Sequence, residues 1–251
     1  MYRFFVPVEN VSDGEILITG DDVNHIKNVL RMKPGEKVVV SCGRGTDYFC
    51  VIKGIEKENI CLIVEKEEQT AAELPVQITL FQALPKKDKM ELVIQKAVEL
   101  GAAQIVPVMT KRCVVRLDAK KGEKKQSRWQ TIAEAAAKQS GRGLLPRIHP
   151  VVDFAGALEL AKDMDTVLIP YELCEDMGAS VRAMEQAAEG NSIGIFIGPE
   201  GGFERSEVEQ AVSQGAIPIS LGRRILRTET AGLAVLSVLM FQIEGTGKYA
   251  Q

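Results

Sequence analysis

Three arginines and a glutamate stand directly before the most apolar stretch of the chain. Residues 221–232 have the sequence LGRRILRTETAG, and residues 231–243 contain only Ser237 and Gln242 as polar side chains. A helix start needs only one capping oxygen, and a buried helix needs no arginine. The cations at this position therefore predict a ligand beside the start of the helix.

Two further segments resemble this one in placing glycine or proline where a predicted strand ends. They are LIPYE, residues 168–172, and IGPEGGF, residues 197–203. Glycine allows the backbone to approach a ligand closely or to adopt a positive φ. GPEGG lacks the residues of a phosphate-binding P-loop and of a dinucleotide fingerprint, and alone it is typical of a tight turn. Three such strand ends together predict three ligand loops at one edge of a parallel sheet.

The charge of the chain is uneven. The formal net charge is −3, but residues 111–128 contain eight Lys or Arg against two acidic residues, a local charge of +6. This cluster includes Arg112 and Arg116, and Arg142 and Arg147 follow it. A basic cluster on an acidic protein is typical either of a polyanion-binding surface or of a solvated loop. The sequence leaves both interpretations open.

Hydrophobic periodicity divides the chain into two parts. Residues 1–70 contain short alternating strands and one helix, residues 22–32, and predict a small β-barrel. The polar segment 67–75, which ends in proline, is predicted as the linker. Residues 71–251 alternate between strands and helices, which predicts an α/β domain with a mostly parallel sheet. Helices are expected at residues 89–102, 127–141 and 230–241, among others.

Several classes of protein are disfavoured by composition. The longest apolar run, residues 231–243, is too short to span a bilayer and lies at the wrong end for a signal peptide. Five scattered cysteines without a CxxC pattern predict a reducing cytoplasm, and together with the distant His25 and His149 they predict no zinc site. We therefore expect a cytoplasmic protein with no metal and no membrane contact.

Two segments identify a family. GPEGGFERSEVE and LGRRILRTETA, in this order, resemble the hallmark motifs of the ribosomal small-subunit RNA uridine-N3 methyltransferases. The segments YRFFV, HIKNVLRMKPGE and KKDKMELVIQKAVELG also resemble their counterparts there, so the resemblance covers the whole chain. It implies a SPOUT-type domain with a trefoil knot, a small PUA-like RNA-binding barrel at the amino terminus, S-adenosylmethionine as cofactor and a homodimer. Periodicity by itself does not predict the knot.

The resemblance also implies a set of site residues. For the cofactor these are Ile169, Pro170, Gly198, Glu200, Gly201, Leu221, Gly222, Ile225, Leu226, Arg227, Thr228 and Ala231. Leu221, Gly222, Ile225 and Leu226 are expected to hold the adenosine, because an apolar slot with main-chain hydrogen bonds suits a flat base.

Uridine N3 methylation makes definite demands on the site. The N3–H is a weak acid, and negative charge spreads to the two flanking carbonyl oxygens when its proton leaves. Arg227 is expected to stabilise this charge with its forked donors. Glu229 or Glu200 is expected to accept the proton, directly or through water. For Glu229 an attraction to the helix dipole is the alternative, and Thr228 is predicted as the N-cap of that helix.

RNA contacts are predicted on both parts of the chain. Besides the basic cluster and Arg142 and Arg147, they involve Arg3, Arg31 and Arg44 of the barrel. Tyr48 or Phe49 could stack on a base, although strand alternation predicts that one of them is buried. The resemblance implies 16S rRNA, within the small ribosomal subunit, as partner. A 2′-O-ribose methyltransferase and a non-catalytic RNA-binding protein remain the alternatives.

Overall fold

The computed structural model describes residues 1–245, which form two compact units. The first unit contains Met1–Glu73 and Ala137–Leu145, and the second contains Leu74–Ala136 and the chain from Pro146 on. The sequence prediction placed residues 137–145 in the larger domain. They belong to the first unit, where the Arg142 guanidinium binds the Glu73 carboxylate at 2.6 Å. The predicted second domain also included residues 246–251, which lie outside the described residues.

The first unit is built on one six-stranded sheet in the order β1-β4-β5-β6-β3-β2. All neighbours are antiparallel except β1 and β4. The strands are β1 (Tyr2–Phe5), β2 (Val11–Ser12), β3 (Glu15–Thr19), β4 (Lys37–Ser41), β5 (Thr46–Ile55) and β6 (Asn59–Gln69). Because β6 continues to Gln69, the connection to the second unit is shorter than the predicted linker.

Alternating residues of these strands enclose one apolar core. Ile16 and Ile18 of β3 are buried with Ile60 and Leu62 of β6, as the period of two requires. Tyr48 packs against this core, but Tyr48 and Phe49 are both half-buried, so neither aromatic is fully buried as the alternation predicted. The predicted helix 22–32 is shorter in the structure. It consists of α1 (Asp21–Asn24) and a π-helical turn (His25–Val29).

The second unit has a sheet in which every pairing is parallel, in the order β10-β8-β7-β12-β11-β13, with β9 also beside β8. The strands are β7 (Gln77–Ala83), β8 (Gln104–Met109), β9 (Arg147–Ile148), β10 (Val152–Asp153), β11 (Thr166–Pro170), β12 (Ser192–Ile197) and β13 (Ile217–Ile219). The helices are α2 (Lys89–Glu99), α3 (Ala119–Ser140), α4 (Phe154–Ala161), α5 (Met177–Glu189), α6 (Arg205–Ser213) and α7 (Thr228–Gly245), and the last four residues of α3 belong to the first unit.

Helices cover both faces of this sheet, which explains why its strands are continuously apolar. On one face Phe81 and Phe196 stack at 4.4 Å, and α4 and α6 add buried side chains to the same cluster. On the other face α7 lies so close that a Cβ at Gly232 would contact Ile197 and Leu80. The predicted α/β class with a parallel sheet is confirmed.

The elements that sequence reasoning missed are short or highly charged. Strands β9 and β10 have two residues each, too few to show a period, and Pro150 lies between them. Helix α3 begins at Ala119, eight residues before the predicted start. The lysines at its start obscured the apolar spacing, so much of the basic cluster is helical and not a loop.

Candidate active site

Three loops of the second unit meet around a cavity of about 1150 Å³. They follow β11, β12 and β13 at the carboxyl edge of the sheet, where ligands of parallel sheets bind. The cavity is lined by residues 170–172, 174, 175, 177, 197–203, 220–228 and 231, together with Lys89. The predicted convergence of three strand ends is thus observed.

The loop after β12 needs its glycines for steric reasons. A Cβ at Gly198 would lie 3.2 Å from backbone atoms of Gly202 and Phe203. Gly202 has a φ of 67°, a conformation that favours glycine. The GPEGG segment therefore folds back on itself and exposes its backbone and the Glu200 side chain to the cavity.

The start of α7 is tied to the sheet by Thr228. Its Oγ1 donates to the carbonyl oxygen of Gly198 at 2.6 Å and accepts from Gln82 Nε2 at 2.9 Å. The first turn of the helix is closed by the carbonyl oxygen of Arg227, which accepts from the N–H groups of Thr230 and Ala231 at 2.8 Å. The prediction that Thr228 caps the helix is wrong, because its hydroxyl is engaged across the sheet.

A lysine bridges the two glutamates that were predicted as bases. Lys89, the first residue of α2, has its Nζ 3.1 Å from Glu229 Oε2 and 3.5 Å from Glu200 Oε1. Glu200 Oε1 also accepts from the backbone N–H of Lys86 at 2.9 Å. Both carboxylates are thus held by a cation that the sequence motifs did not indicate.

These contacts keep both carboxylates ionised. Burial raises the pKa of Glu200, but the backbone N–H groups of Lys86 and Glu200 and the Lys89 ammonium outweigh it, so the pKa is lowered overall. The pKa of Glu229 is lowered first by its own backbone N–H, against burial, and then by Lys89 and Arg227. A carboxylate with a lowered pKa accepts a proton less readily, so proton removal from a weak acid needs further help.

The exposed residues at the cavity include three acidic ones, Glu172, Glu175 and Glu200, besides cationic and apolar ones. The side chains of Arg223, Arg224 and Arg227 are exposed, and within residues 1–245 none of them makes a hydrogen bond. Ile225, between them, is 94% exposed. An isoleucine in water at the mouth of a cavity offers a contact surface for a flat apolar group.

The structure places all but one of the predicted cofactor residues at the cavity. Pro170, Gly198, Glu200, Gly201, Leu221, Gly222, Ile225, Leu226, Arg227, Thr228 and Ala231 line it. Ile169 does not. It is completely buried in the core cluster, because its neighbour Pro170 is the residue that reaches the strand end. Glu229 also lies off the lining, next to Lys89, whereas Glu200 is part of it.

Sequence reasoning missed several lining residues. Tyr171 and Glu172 were inside the quoted LIPYE segment but had no assigned role. The Glu172 carboxylate lies across the loop, 3.2 Å from the Cβ position of Gly202. Lys89 was inside the quoted KKDKMELVIQKAVELG segment but had no assigned role, because it is far along the chain from both of its partners.

The predicted RNA-binding arginines fall into two groups. Arg31, Arg44, Arg112, Arg116 and Arg147 are exposed. Arg142 is 2% exposed and binds Glu73, so it is not available to a phosphate, and the expectation of an RNA contact is corrected. Arg3 is likewise engaged, since it forms a bidentate pair with Asp47 that includes a contact of 2.7 Å. If a buried guanidinium left its carboxylate to bind a phosphate, the carboxylate would remain as an unpaired buried charge.

The residues that the structure describes contain neither a cluster of metal ligands nor a membrane-spanning helix. Within residues 1–245, no three His, Cys, Asp or Glu side chains are grouped as metal ligands would be. Over the same residues, no helix combines the length and the apolarity that crossing a membrane requires.

Comparisons with known proteins find two RNA methyltransferase domains in the chain. A family model described as an RNA methyltransferase domain matches residues 72–240, and one described as an RNA methyltransferase PUA domain matches residues 18–65. Ribosomal RNA small subunit methyltransferase E of Bacillus subtilis (strain 168) is 38% identical over 97% of this chain and 98% of its own length. The protein of the same name from Mesomycoplasma hyopneumoniae (strain 232) is 34% identical over 94% and 98%.

A solved structure is also similar over its full length. Ribosomal RNA small subunit methyltransferase E from Neisseria gonorrhoeae, bound to S-adenosyl methionine, has a TM-score of 0.83 and 34% identity. The match covers 96% of this chain and 97% of that one. On these matches, and on the three loops that form its cavity, the chain belongs to the ribosomal RNA small subunit methyltransferase E family of RNA methyltransferases.

Proposed function

We propose that the protein transfers a methyl group from S-adenosylmethionine to N3 of one uridine in 16S ribosomal RNA. The observation that carries this proposal is the cavity formed by the three loops. It combines an apolar segment, a glycine-lined approach and charged groups of both signs. Membership of the methyltransferase E family supports the substrate.

The cavity fits the cofactor. Leu221, Ile225 and Leu226 provide an apolar surface for adenine, and the exposed Ile225 would be covered by it. Gly222 leaves the backbone open, because it has a φ of 93° and no atom lies within 4 Å of its Cβ position. When bound there, S-adenosylmethionine would supply a methyl group made electrophilic by its positively charged sulfur, with a neutral thioether as the leaving group.

Residues of this chain prepare N3 to accept this methyl group. Arg227 is exposed at the cavity and free to donate to the uracil, so it stabilises the charge that spreads to a carbonyl oxygen when the N3 proton leaves. Glu200 lines the cavity and accepts the proton, directly or through water. Glu229 is the less favoured base, because it is not part of the lining.

RNA binds through exposed arginines on each unit. In the first unit these are Arg31 and Arg44, and in the second they are Arg112, Arg116 and Arg147. The side chain of Arg112 donates to the carbonyl oxygen of Gly201, so this part of the basic cluster adjoins the cavity loop. The enzyme then acts in the cytoplasm, where small ribosomal subunits are made.

We also propose a trefoil knot and a homodimer, as the family resemblance implies. Strand β12 lies between β7 and β11 in the sheet, and β13 lies on the outer side of β11. After β13 the chain returns, and α7 packs across β7 and β12. This path supports a threaded chain. Helix α7 exposes Val238 and Phe241, with Phe241 77% exposed, which supports a second copy packing there.

Methylation of small-subunit particles, compared with free 16S RNA, tests the function. Mass spectrometry and nuclease mapping of the product should find one N3-methyluridine, and calorimetry should find S-adenosylmethionine binding. A ribose-methylated nucleoside would instead identify a 2′-O-methyltransferase. Absence of both binding and methylation would identify a non-catalytic RNA-binding protein.

A further inference from the structure

The uracil edge that reacts has three polar groups in a row. The N3–H is a donor, and a carbonyl oxygen acts as an acceptor on each side of it. When the proton leaves N3, both oxygens gain negative charge. A site for this reaction therefore needs one acceptor for the proton and two donors for the oxygens. Arg227 supplies one of these donors, and the motifs assign no second one.

Lys89 has the chemistry and the position of the second donor. An ammonium group has three N–H donors. Glu229 Oε2 accepts at 3.1 Å, and Glu200 Oε1 is within ion-pair range at 3.5 Å. Among the residues that the structure describes, Nζ has no third acceptor, and its side chain lines the cavity. One N–H of Lys89 is therefore available to a substrate.

The two glutamates differ in their relation to Lys89. Glu200 lines the cavity beside the lysine, so a proton acceptor and a hydrogen-bond donor lie next to each other there. Glu229 lies off the lining, and its side chain is 16% exposed. Glu229 also belongs to the first turn of α7, where its backbone is fixed. Its carboxylate therefore holds the ammonium in place.

We propose that Lys89 is a catalytic residue, which donates a hydrogen bond to one of the two carbonyl oxygens that flank N3 of the target uracil. Glu229 is its positioning residue. This inference rests on the proposed N3 methylation and extends it. Lys89 and Arg227 then bind the two oxygens, and Glu200 faces the N3–H between them.

The arrangement also distinguishes uracil from cytosine. Cytosine carries an amino group in place of one carbonyl oxygen, and its N3 has no hydrogen. One of the two cationic donors would then face the amino group, which is also a donor. The carboxylate would face the bare N3, which is also an acceptor. A mismatched donor or acceptor in a closed site costs more than a lost contact, since the group is left unpaired.

A substrate with one altered oxygen tests the contact. The target nucleotide, once mapped, is replaced by 2-thiouridine or by 4-thiouridine, because sulfur is a poor hydrogen-bond acceptor. Lys89→Met should lower kcat on normal RNA by about 10²–10³-fold, as for other lost oxyanion donors, with S-adenosylmethionine affinity unchanged. One of the two thio substitutions should slow the wild type by roughly tenfold or more, yet slow Lys89→Met little further.

Two further variants separate the roles. Glu229→Gln should lower kcat less than Lys89→Met, and the double variant should be no slower than Lys89→Met, because both changes disturb one hydrogen bond. Lys96→Met is the matched control, since Lys96 also lies on α2 with its own partner Glu99 and does not line the cavity. It should leave kcat unchanged.

The outcomes are distinct. If both thio substitutions slow Lys89→Met by the same factors as they slow the wild type, Lys89 does not contact the base and the inference is wrong. Calorimetric binding of S-adenosylmethionine by Lys89→Met shows that the cavity is folded. If the wild type produces no N3-methyluridine on normal RNA, the proposed function itself fails, whatever the variants do.

Discussion

Thr228 Oγ1 donates a hydrogen bond of 2.6 Å to the carbonyl oxygen of Gly198 and so joins the start of α7 to the end of β12. The same oxygen accepts from Gln82 Nε2 of β7. Thr228 is 4% exposed and Gln82 is completely buried, so water cannot replace either bond. One hydroxyl therefore fixes the geometry between two of the cavity loops and the centre of the sheet.

Thr228→Val should destabilise the second unit. It keeps the shape of the side chain but removes the partner of the Gly198 carbonyl oxygen, at a cost of about 1–3 kcal/mol, and leaves Gln82 Nε2 with only the carbonyl oxygen of Ala83. Urea unfolding measures the free energy, and calorimetry should show weaker S-adenosylmethionine binding. Thr228→Ser retains the hydroxyl and should lose much less. Equal stability of the valine and serine variants would show that these hydrogen bonds are not important.

Arg227→Ala should lose turnover far more than it loses cofactor binding. The charge that Arg227 meets exists only near the transition state, so kcat should fall by about 10²–10³-fold. Higher pH should partly restore the rate, because more of the uracil N3–H is then ionised. Arg227→Lys should recover little, since an ammonium cannot copy the planar fork. Arg223→Ala and Arg224→Ala are the controls and should mainly weaken RNA binding. Near-normal turnover of Arg227→Ala at saturating RNA would make Arg227 a structural residue.

The lowered pKa of Glu229 predicts how its stabilising contribution depends on pH. A carboxylate whose pKa is lower in the folded state stabilises the fold above its unfolded pKa, about 4.3 for glutamate, and loses this contribution as pH falls through the folded value. Glu229→Gln should therefore be less stable than the wild type near neutral pH, and the difference in unfolding free energy should shrink in acid. Glu209→Gln, at an exposed site on α6, should show little effect. A difference that grows on acidification would contradict the assignment.

RNA affinity should depend on salt through the exposed arginines. Each phosphate contact contributes about 0.9 to the log–log slope on duplex and about 0.7 on single strands. Replacing Arg112, Arg116 and Arg147 by alanine should reduce the slope while cofactor affinity is retained. Filter binding at several salt concentrations measures it. An unchanged slope would mean that the basic cluster is only a solvated surface.

The proposed dimer predicts a result for α7. Phe241→Asp places a charge on the exposed apolar face and should convert a dimer to a monomer in sedimentation measurements, because an unpaired charge is costly to bury in an interface. Val212→Asp is a matched control, since Val212 is an exposed apolar residue on α6. It should remain dimeric. A wild type that sediments as a monomer at high concentration would exclude this interface.

Much of the architecture follows from local sequence. The alternation around Ile16, Ile18, Ile60 and Leu62 predicts strands of the first unit, because a strand buries every second residue. Gly198 and Gly222, together with the proline at position 170, mark three strand ends, because backbone turns need these residue types. The three loops and most residues of the cavity were therefore predictable.

The partners of charged residues were decided by tertiary structure alone. Lys89 lies 111 residues before Glu200 and 140 before Glu229, and no sequence spacing indicates which of many glutamates a lysine will meet. Arg142 was expected at the RNA because it follows a basic cluster, yet it is buried on Glu73. Periodicity and turn chemistry depend on residues that are neighbours in the chain, so both can be recognised in the sequence. Ion pairs depend on which elements pack together, so the charges that complete this site became visible only when α2 was placed beside the start of α7.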